Sequence, residues 1–366
     1  MFDRRLVTHF DWPFVATVLA LMVVGVLTIY SSNTLATTGF RQALHLRQLA
    51  WMGIGLVGML TTCLLNYRSL GRIAYVFFGL TVLLLVVVLV IGKTGLGAQR
   101  WIRISGFAFQ PSEFTKLGLV LFLARYFDDH REHLHEAKTM ILPAALTGLC
   151  MLLVLKQPDL GTALTYVPVA IMGLFLGGMR AKHALILVLI AGILMPAVWH
   201  FGLKPYQKTR LTSFISPEED ARGAGYQVMQ SMVAVGSGGL WGKGATKGTQ
   251  TQGQFLPVPH TDFIFAAWAE EHGFVGATFI LLLYFLLLMR LISNAQTAPD
   301  RAGTFIVMGL VAVWTFHVLV NVGMVVGFMP VTGIPLPLMS YGGSSVLFTF
   351  LALGIVMNIR MRRFVN

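Results

Sequence analysis

The sequence predicts an all-α, polytopic integral membrane protein with about ten transmembrane helices and one large extracellular (periplasmic) loop. Three observations lead there. Of 366 residues, 56% are hydrophobic and only 11% charged, and the mean hydropathy is +0.73. A soluble domain carries roughly 25% charged residues, so most of this surface is built to face lipid. The apolar runs are about 18–22 residues long, enough to cross a bilayer. They do not alternate, which selects helices over the strands of a barrel, the other fold that satisfies its own backbone in lipid.

Helices are expected at residues 12–31, 48–66, 73–91, 112–127, 139–155, 162–179, 183–201, 263–290, 304–328 and 337–358. The first, Pro13 to Tyr30 behind Arg4 and Arg5, is too long for a signal-peptide core, and no small-residue cleavage site follows it. The segments at 112–127 and 139–155 are the shortest. The fourth and sixth helices open on Gln110-Pro111-Ser112-Glu113 and Gln157-Pro158-Asp159. Proline suits a helix start, and a carboxylate there complements the helix dipole. Residues 202–262 form the long loop within a single domain spanning 1–366. It re-enters the membrane at Pro259-His260-Thr261-Asp262-Phe263.

An even number of spans puts both termini on one side. With the N-terminus in the cytoplasm, fourteen Lys and Arg fall in cytoplasmic segments, against six in short external loops: Arg41, Arg47, Lys93, Arg100, Arg103 and Lys156. This asymmetry favours cytoplasmic termini. The long loop adds Lys204, Lys208, Arg210, Arg222, Lys243 and Lys247. These external cations are either solvated loop charge or a site for an anionic, membrane-tethered substrate.

The net charge of +12 fits this topology and anionic lipid headgroups, and no basic stretch interleaved with aromatics argues for nucleic acid. Cys63 and Cys150 both lie in apolar runs, so neither a disulfide framework nor a zinc site is expected. The glycine run Gly236–Gly244 invites a phosphate-loop reading, which fails: Ser237 stands where Walker A needs its first glycine, and Gly244 follows Lys243. Ser340 and Ser344 flank Tyr341-Gly342-Gly343 without a nucleophile elbow.

Ionisable groups near membrane depth are costly and mark function. Glu113 and Lys116, three apart, share one helix face. Asp159 starts the sixth helix, and Asp262 ends the long loop. Glu270 and Glu271 lie further along, where structural or partner-facing roles are expected. Glu113, Lys116, Asp159 and Asp262 are all placed at the outer membrane surface.

At these residues the chain resembles the SEDS family (shape, elongation, division and sporulation) of bacterial cell-wall polymerases, over nearly its whole length. The matching stretches are Gly97-Ala98-Gln99-Arg100-Trp101, Phe109-Gln110-Pro111-Ser112-Glu113 and Gln157-Pro158-Asp159-Leu160-Gly161-Thr162. Gly225-Tyr226-Gln227, Gln230-Ser231, the Gly236–Gly244 run and His260-Thr261-Asp262-Phe263-Ile264-Phe265 follow. Glu270-Glu271 with Gly273, Pro335-Leu336-Pro337 and Ser340-Tyr341-Gly342-Gly343-Ser344 complete the set. About eleven residues precede the first helix, as in the elongation branch rather than the division branch.

The resemblance implies a peptidoglycan glycosyltransferase of the bacterial inner membrane. It would polymerise lipid II during elongation, beside a class B penicillin-binding protein that cross-links the strands. Asp262 matches the family's essential aspartate; Glu113, Lys116 and Asp159 match further positions implicated in function. No organic cofactor is implied. The implied reaction, attack of a 4-hydroxyl on C1 of a lipid-diphosphate sugar with inversion, needs a base and positive charge for the leaving group. Asp262 is the expected base, a role that contributes about 10²–10⁴-fold. Expected cations are Lys116, Arg100, Arg103, Lys243 and Arg210, in that order, with a divalent ion left open. Glu113–Lys116 read alternatively as a membrane ion pair, and Asp159 as a helix cap. The rival functions are a lipid II flippase and a silent scaffold.

Overall fold

The computed structural model describes residues 11–35, 38–95, 98–104, 107–134, 136–220 and 223–363. Arg4, Arg5, Gly97 and Arg222 lie outside the described residues. The helices are α1 (Trp12–Ser32), α2 (Leu44–Leu64), α3 (Tyr67–Ile91), α4 (Pro111–Asp129), α5 (Ala137–Lys156), α6 (Leu160–Leu176), α7 (Ala181–Ala197), α8 (Pro205–Ile215), α9 (Ala224–Ser237), α10 (Ile264–Gln296), α11 (Arg301–Val325) and α12 (Gly343–Met361). Every expected span falls on one of them. Among the described residues, seven segments are long and apolar enough to cross a membrane, those of α1, α3, α5, α7, α10, α11 and α12. Of the rest, α2 and α4 carry polar residues such as Arg47 and the Glu113–Lys116 pair, and α6 has 17 residues.

Local chemistry sets the helix starts. Asp11 accepts from Phe14 N (3.2 Å), Asn66 from Arg68 N (3.0 Å) and Asp300 from Gly303 N (2.8 Å). Each satisfies an orphan amide of a first turn. Helices α11 and α12 form the centre: 72% and 78% of their most apolar stretches are buried, against none of that of α7. α2 and α6 pack on them, and α10 lies between α11 and α1.

One end of the bundle is built differently from the other. There, β1 (Lys93–Gly95), β2 (Ala98–Ile104) and β3 (Phe107–Phe109) form an antiparallel sheet between α3 and α4, pairing Lys93 with Trp101 and Ile102 with Phe109. The segment 202–262 is not plain loop either, since it holds α8, α9 and a helical turn at Thr249–Gln252. α10 kinks at Gly273 (φ 65°), and the glycine run is stitched across the kink. Lys243 N and Gly244 N donate to Glu270 O and Glu271 O, while Phe274 N donates to Gly239 O. A β-carbon on Gly242 or Gly273 would overlap the facing backbone, so this run is a close backbone crossing.

α12 starts at Gly343, not at 337. Pro335 and Pro337 deny the preceding residues a helical backbone, and Leu338 takes φ 67°. The apolar run 334–339 is buried instead as a strap that ends in a turn at 337–339, where Ser340 N donates to Leu336 O.

Candidate active site

The site forms where that strap, the re-entering loop and the sheet converge. Asp262 sits two residues ahead of α10, and its backbone hangs from buried donors. The Asn321 amide of α11 donates to Asp262 O (2.9 Å) and to Ile334 O (2.8 Å). Ser340 Oγ donates to Thr261 O (2.7 Å), and Tyr341 N to His260 O (2.9 Å). Residues 260–262 are thereby fixed to the core. Gly333 (φ 72°) has the left-handed backbone that favours glycine, and both side chains face it: a β-carbon there would stand 3.4 Å from Asp262 Oδ2 and 4.0 Å from Arg210 Nη1.

Burial raises the Asp262 pKa above the ordinary aspartate value, opposed by the Arg100 and Arg210 guanidinium groups and reinforced by Asp159. A half-buried carboxylate with a raised pKa and cations beside it is suited to accept a proton.

Asp159 does two things at once. Its Oδ1 caps α6 through Thr162 N (3.1 Å), and its Oδ2 binds Arg100 Nη1 (2.9 Å) and Gln110 Nε2 (3.4 Å). The two Gln-Pro segments therefore meet in space: Gln110, from the first, touches Asp159, from the second. The capping expectation holds, and the same side chain also orients Arg100.

The other expected residues are placed differently. Lys116 is fully buried, with Nζ on Glu113 Oε1 (2.9 Å) and His317 Nε2 (3.2 Å), 4.9 Å from the Phe348 ring centroid. Pro335 O only accepts, so His317 Nδ1 carries the hydrogen of their 3.1 Å contact and Nε2 accepts from Lys116. First in the expected order of diphosphate cations, Lys116 instead sits sealed behind the strap. Arg103 is exposed on β2. Lys243 is bonded to Glu270 (2.8 Å). Of the five, Arg100 and Arg210 are the ones brought to Asp262. Glu270 and Glu271 are buried and anchor the loop: Glu270 holds Lys243, Gln250 N and Thr251 N, and Glu271 holds Ser31 Oγ and Thr246 N.

Asn321 and His317 lie outside the sequence-based expectation. Both interrupt the apolar run of α11, and the expense of a polar group at membrane depth points to each; a scan for charge alone passes over them.

Among the described residues, no group of three His, Cys, Asp or Glu side chains is arranged to hold a metal ion.

With this geometry in view, comparison with known proteins is informative. The family described as "Cell cycle protein", covering FtsW, RodA and SpoVE, matches residues 11–364. The chain is 36% identical to stage V sporulation protein E of Bacillus subtilis over 95% of its length and 96% of that protein. It is 38% identical to peptidoglycan glycosyltransferase MrdB of Escherichia coli, covering 97% and 94% of the two chains. It is 33% identical to peptidoglycan glycosyltransferase RodA of Treponema pallidum, covering 98% and 99%. A solved chain of a peptidoglycan synthase complex superposes with a TM-score of 0.82 at 34% identity, over 98% of this chain and 99% of that one. The rod shape determining protein RodA of Thermus thermophilus superposes with a TM-score of 0.72 at 32% identity, over 98% of each chain. The chain is a multi-pass helical membrane protein and belongs to the FtsW, RodA and SpoVE family of cell cycle proteins.

Proposed function

We propose that this protein is a peptidoglycan glycosyltransferase that polymerises lipid II into glycan strands during cell elongation. The observation that carries the reading is Asp262, fixed at one end of the bundle with a raised pKa between Arg100 and Arg210. The curated names of the MrdB and RodA relatives agree with it.

The chemistry follows from the side chains. Asp262 takes the proton of the attacking 4-hydroxyl as its oxygen closes on C1 of the donor sugar. The C1–oxygen bond to the lipid diphosphate breaks on the opposite face, which inverts the configuration. Arg100 and Arg210 stabilise the charge that develops on the departing diphosphate. Arg100 is steered to this task by Asp159, and Asp262 is steered by Asn321. A divalent cation that serves this step would arrive with the diphosphate and find Asp159 as its carboxylate. Arg100 and Arg210 replace Lys116 as the leading cations, and Glu113–Lys116–His317 brace the strap.

We infer that the protein lies in the bacterial inner membrane with both termini in the cytoplasm. This is supported by the Lys and Arg asymmetry and by the bundle, whose described ends, 11 and 363, lie opposite Asp262. A class B penicillin-binding protein is the proposed partner. The support is that a similar chain is part of a peptidoglycan synthase complex.

The test is to supply lipid II to the purified Asp262→Asn protein in detergent. Loss of glycan strands, with a folded protein, is the expected result. Strands formed near the wild-type rate would remove Asp262 as the base. A wild-type protein that leaves lipid II unpolymerised would favour transport over polymerisation.

A further inference from the structure

A polymerase that joins two lipid-diphosphate sugars needs two places for the same kind of molecule. The Arg100–Arg210 side of Asp262 supplies one. At His260 lies a cavity of about 370 Å³, lined among others by Ser32, Asn33, Arg41, Gln254, Pro257 and His260. The chain between His260 and Asp262 spans at most about 7 Å, so cavity and base are neighbours.

The lining has the composition of a saccharide site. Gln254 offers its amide to hydroxyl and acetamido partners, and Asn33 and Gln252 their amide oxygens, since their amino groups are bonded to Ile29 O and Ser32 Oγ and to Ser31 O. Leu256, Pro257, Val258 and Pro259 form an apolar wall suited to a sugar-ring face. Two features of the cavity have no protein partner. Arg41 is exposed and makes no ion pair among the described residues. His260 Nδ1 is buried without a hydrogen-bond partner, although its residue is pinned through Tyr341 N. Burial and the Arg41 charge lower the His260 pKa to about 4, so at neutral pH the ring is uncharged and Arg41 is the cavity's cation. Charge-assisted and neutral hydrogen-bonding capacity is thus held ready beside the base with nothing of the chain to satisfy it.

We infer that the cavity between the end of α1 and residues 251–260 is the second substrate subsite, and that it binds the acceptor: a lipid-diphosphate saccharide whose anionic part is held by Arg41 and whose sugar faces His260 and Asp262. This rests on the polymerase reading. The acceptor is a second lipid II molecule, which carries a free 4-hydroxyl and a diphosphate on one disaccharide; the lipid-linked end of a growing strand has that hydroxyl already glycosylated and presents C1, as a donor does.

The experiment separates chemistry from binding. Intact lipid II is bound to the non-turning-over Asp262→Asn protein and counted by native mass spectrometry, with Arg41 native, Arg41→Glu or Arg41→Lys. Two molecules are expected on the Arg41 protein. On Arg41→Glu the second should weaken by about ten- to a hundredfold, the range for losing a hydrogen bond to a charged group. Arg41→Lys should restore most of it. A short lipid-linked glycan presents C1 with no free 4-hydroxyl beside its diphosphate, so in competition it displaces only the Arg41-independent molecule. Displacement of the Arg41-dependent molecule would make the cavity the donor subsite and overturn the assignment. Two molecules bound equally well to the native and Arg41→Glu proteins would overturn the assignment. Failure of the polymerase reading shows elsewhere, as a wild-type protein that leaves lipid II unpolymerised.

Discussion

Replacing Glu270 by Gln removes a charge from the most heavily bonded carboxylate among the described residues. Glu270 has no exposed surface. Its Oε1 receives Lys243 Nζ and Gln250 N, both at 2.8 Å, and its Oε2 receives Thr251 N at 3.0 Å and Thr251 Oγ at 2.8 Å. Glutamine keeps one acceptor oxygen and turns the other into a donor facing donors. Either orientation of the amide loses at least one backbone bond and weakens the Lys243 pair. Breaking a buried pair from one side costs about 3–5 kcal/mol. Taking the lower figure, residues 243–252 open about a hundredfold more often. Hydrogen exchange followed by mass spectrometry of a peptide spanning Gln250 and Thr251 reads this directly, with the 301–325 helix as internal control. Exchange within threefold of wild type would refute the claim that Glu270 anchors the loop.

Other perturbations probe the site itself. The carboxyl of Asp262 lies above the ordinary aspartate range and must be ionised to act, so polymerisation falls as pH drops, along a limb displaced upward from that of an exposed aspartate. Arg210→Ala removes a cation that favours ionisation and moves the limb further up; a limb that stays or shifts down in the rate–pH profile contradicts this. Lys116→Met leaves Glu113 buried and unpaired, which costs about 3–5 kcal/mol, whereas Lys116→Met with Glu113→Gln recovers most of it in detergent thermal melts and recovers strand synthesis as well. Persistent loss of synthesis in a stable double variant would return Lys116 to the diphosphate. Asn321→Leu strips the donors from Asp262 O and Ile334 O at about 1–3 kcal/mol per orphaned carbonyl and lowers initial rates at least about tenfold with unchanged helix content. A rate within twofold would remove Asn321 as the residue that positions the base.

The spans were legible because lipid demands unbroken apolar runs, and the site's main residues because ionisable groups are rare in such a chain. What stayed hidden depends on contacts between distant segments. Nothing local to Arg100 says that it meets Asp159, or that Arg210 on α8 returns to Asp262. The strap 334–339 reads as the start of α12 because it is apolar, and its two prolines were the available signal against a helix. The sheet at 93–109 is short and sits between two strong helices, so periodicity gives it little weight. The glycine run looks like a ligand cradle by composition, yet its amides are used up on the kinked backbone of α10.

The suspension of residues 260–262 from α11 and the strap bears on how repeated addition would work. The proposed proton acceptor, Asp262, has its backbone tied to Asn321 of α11 and its neighbours tied to Ser340 and Tyr341, so it stays put from one cycle to the next. Advance by one unit then has to come from the product sliding past a stationary anvil, its lipid handle exchanged at the rim. The length of the strands would accordingly be governed by how firmly the polymer is gripped, with the speed of the chemical step left unaltered.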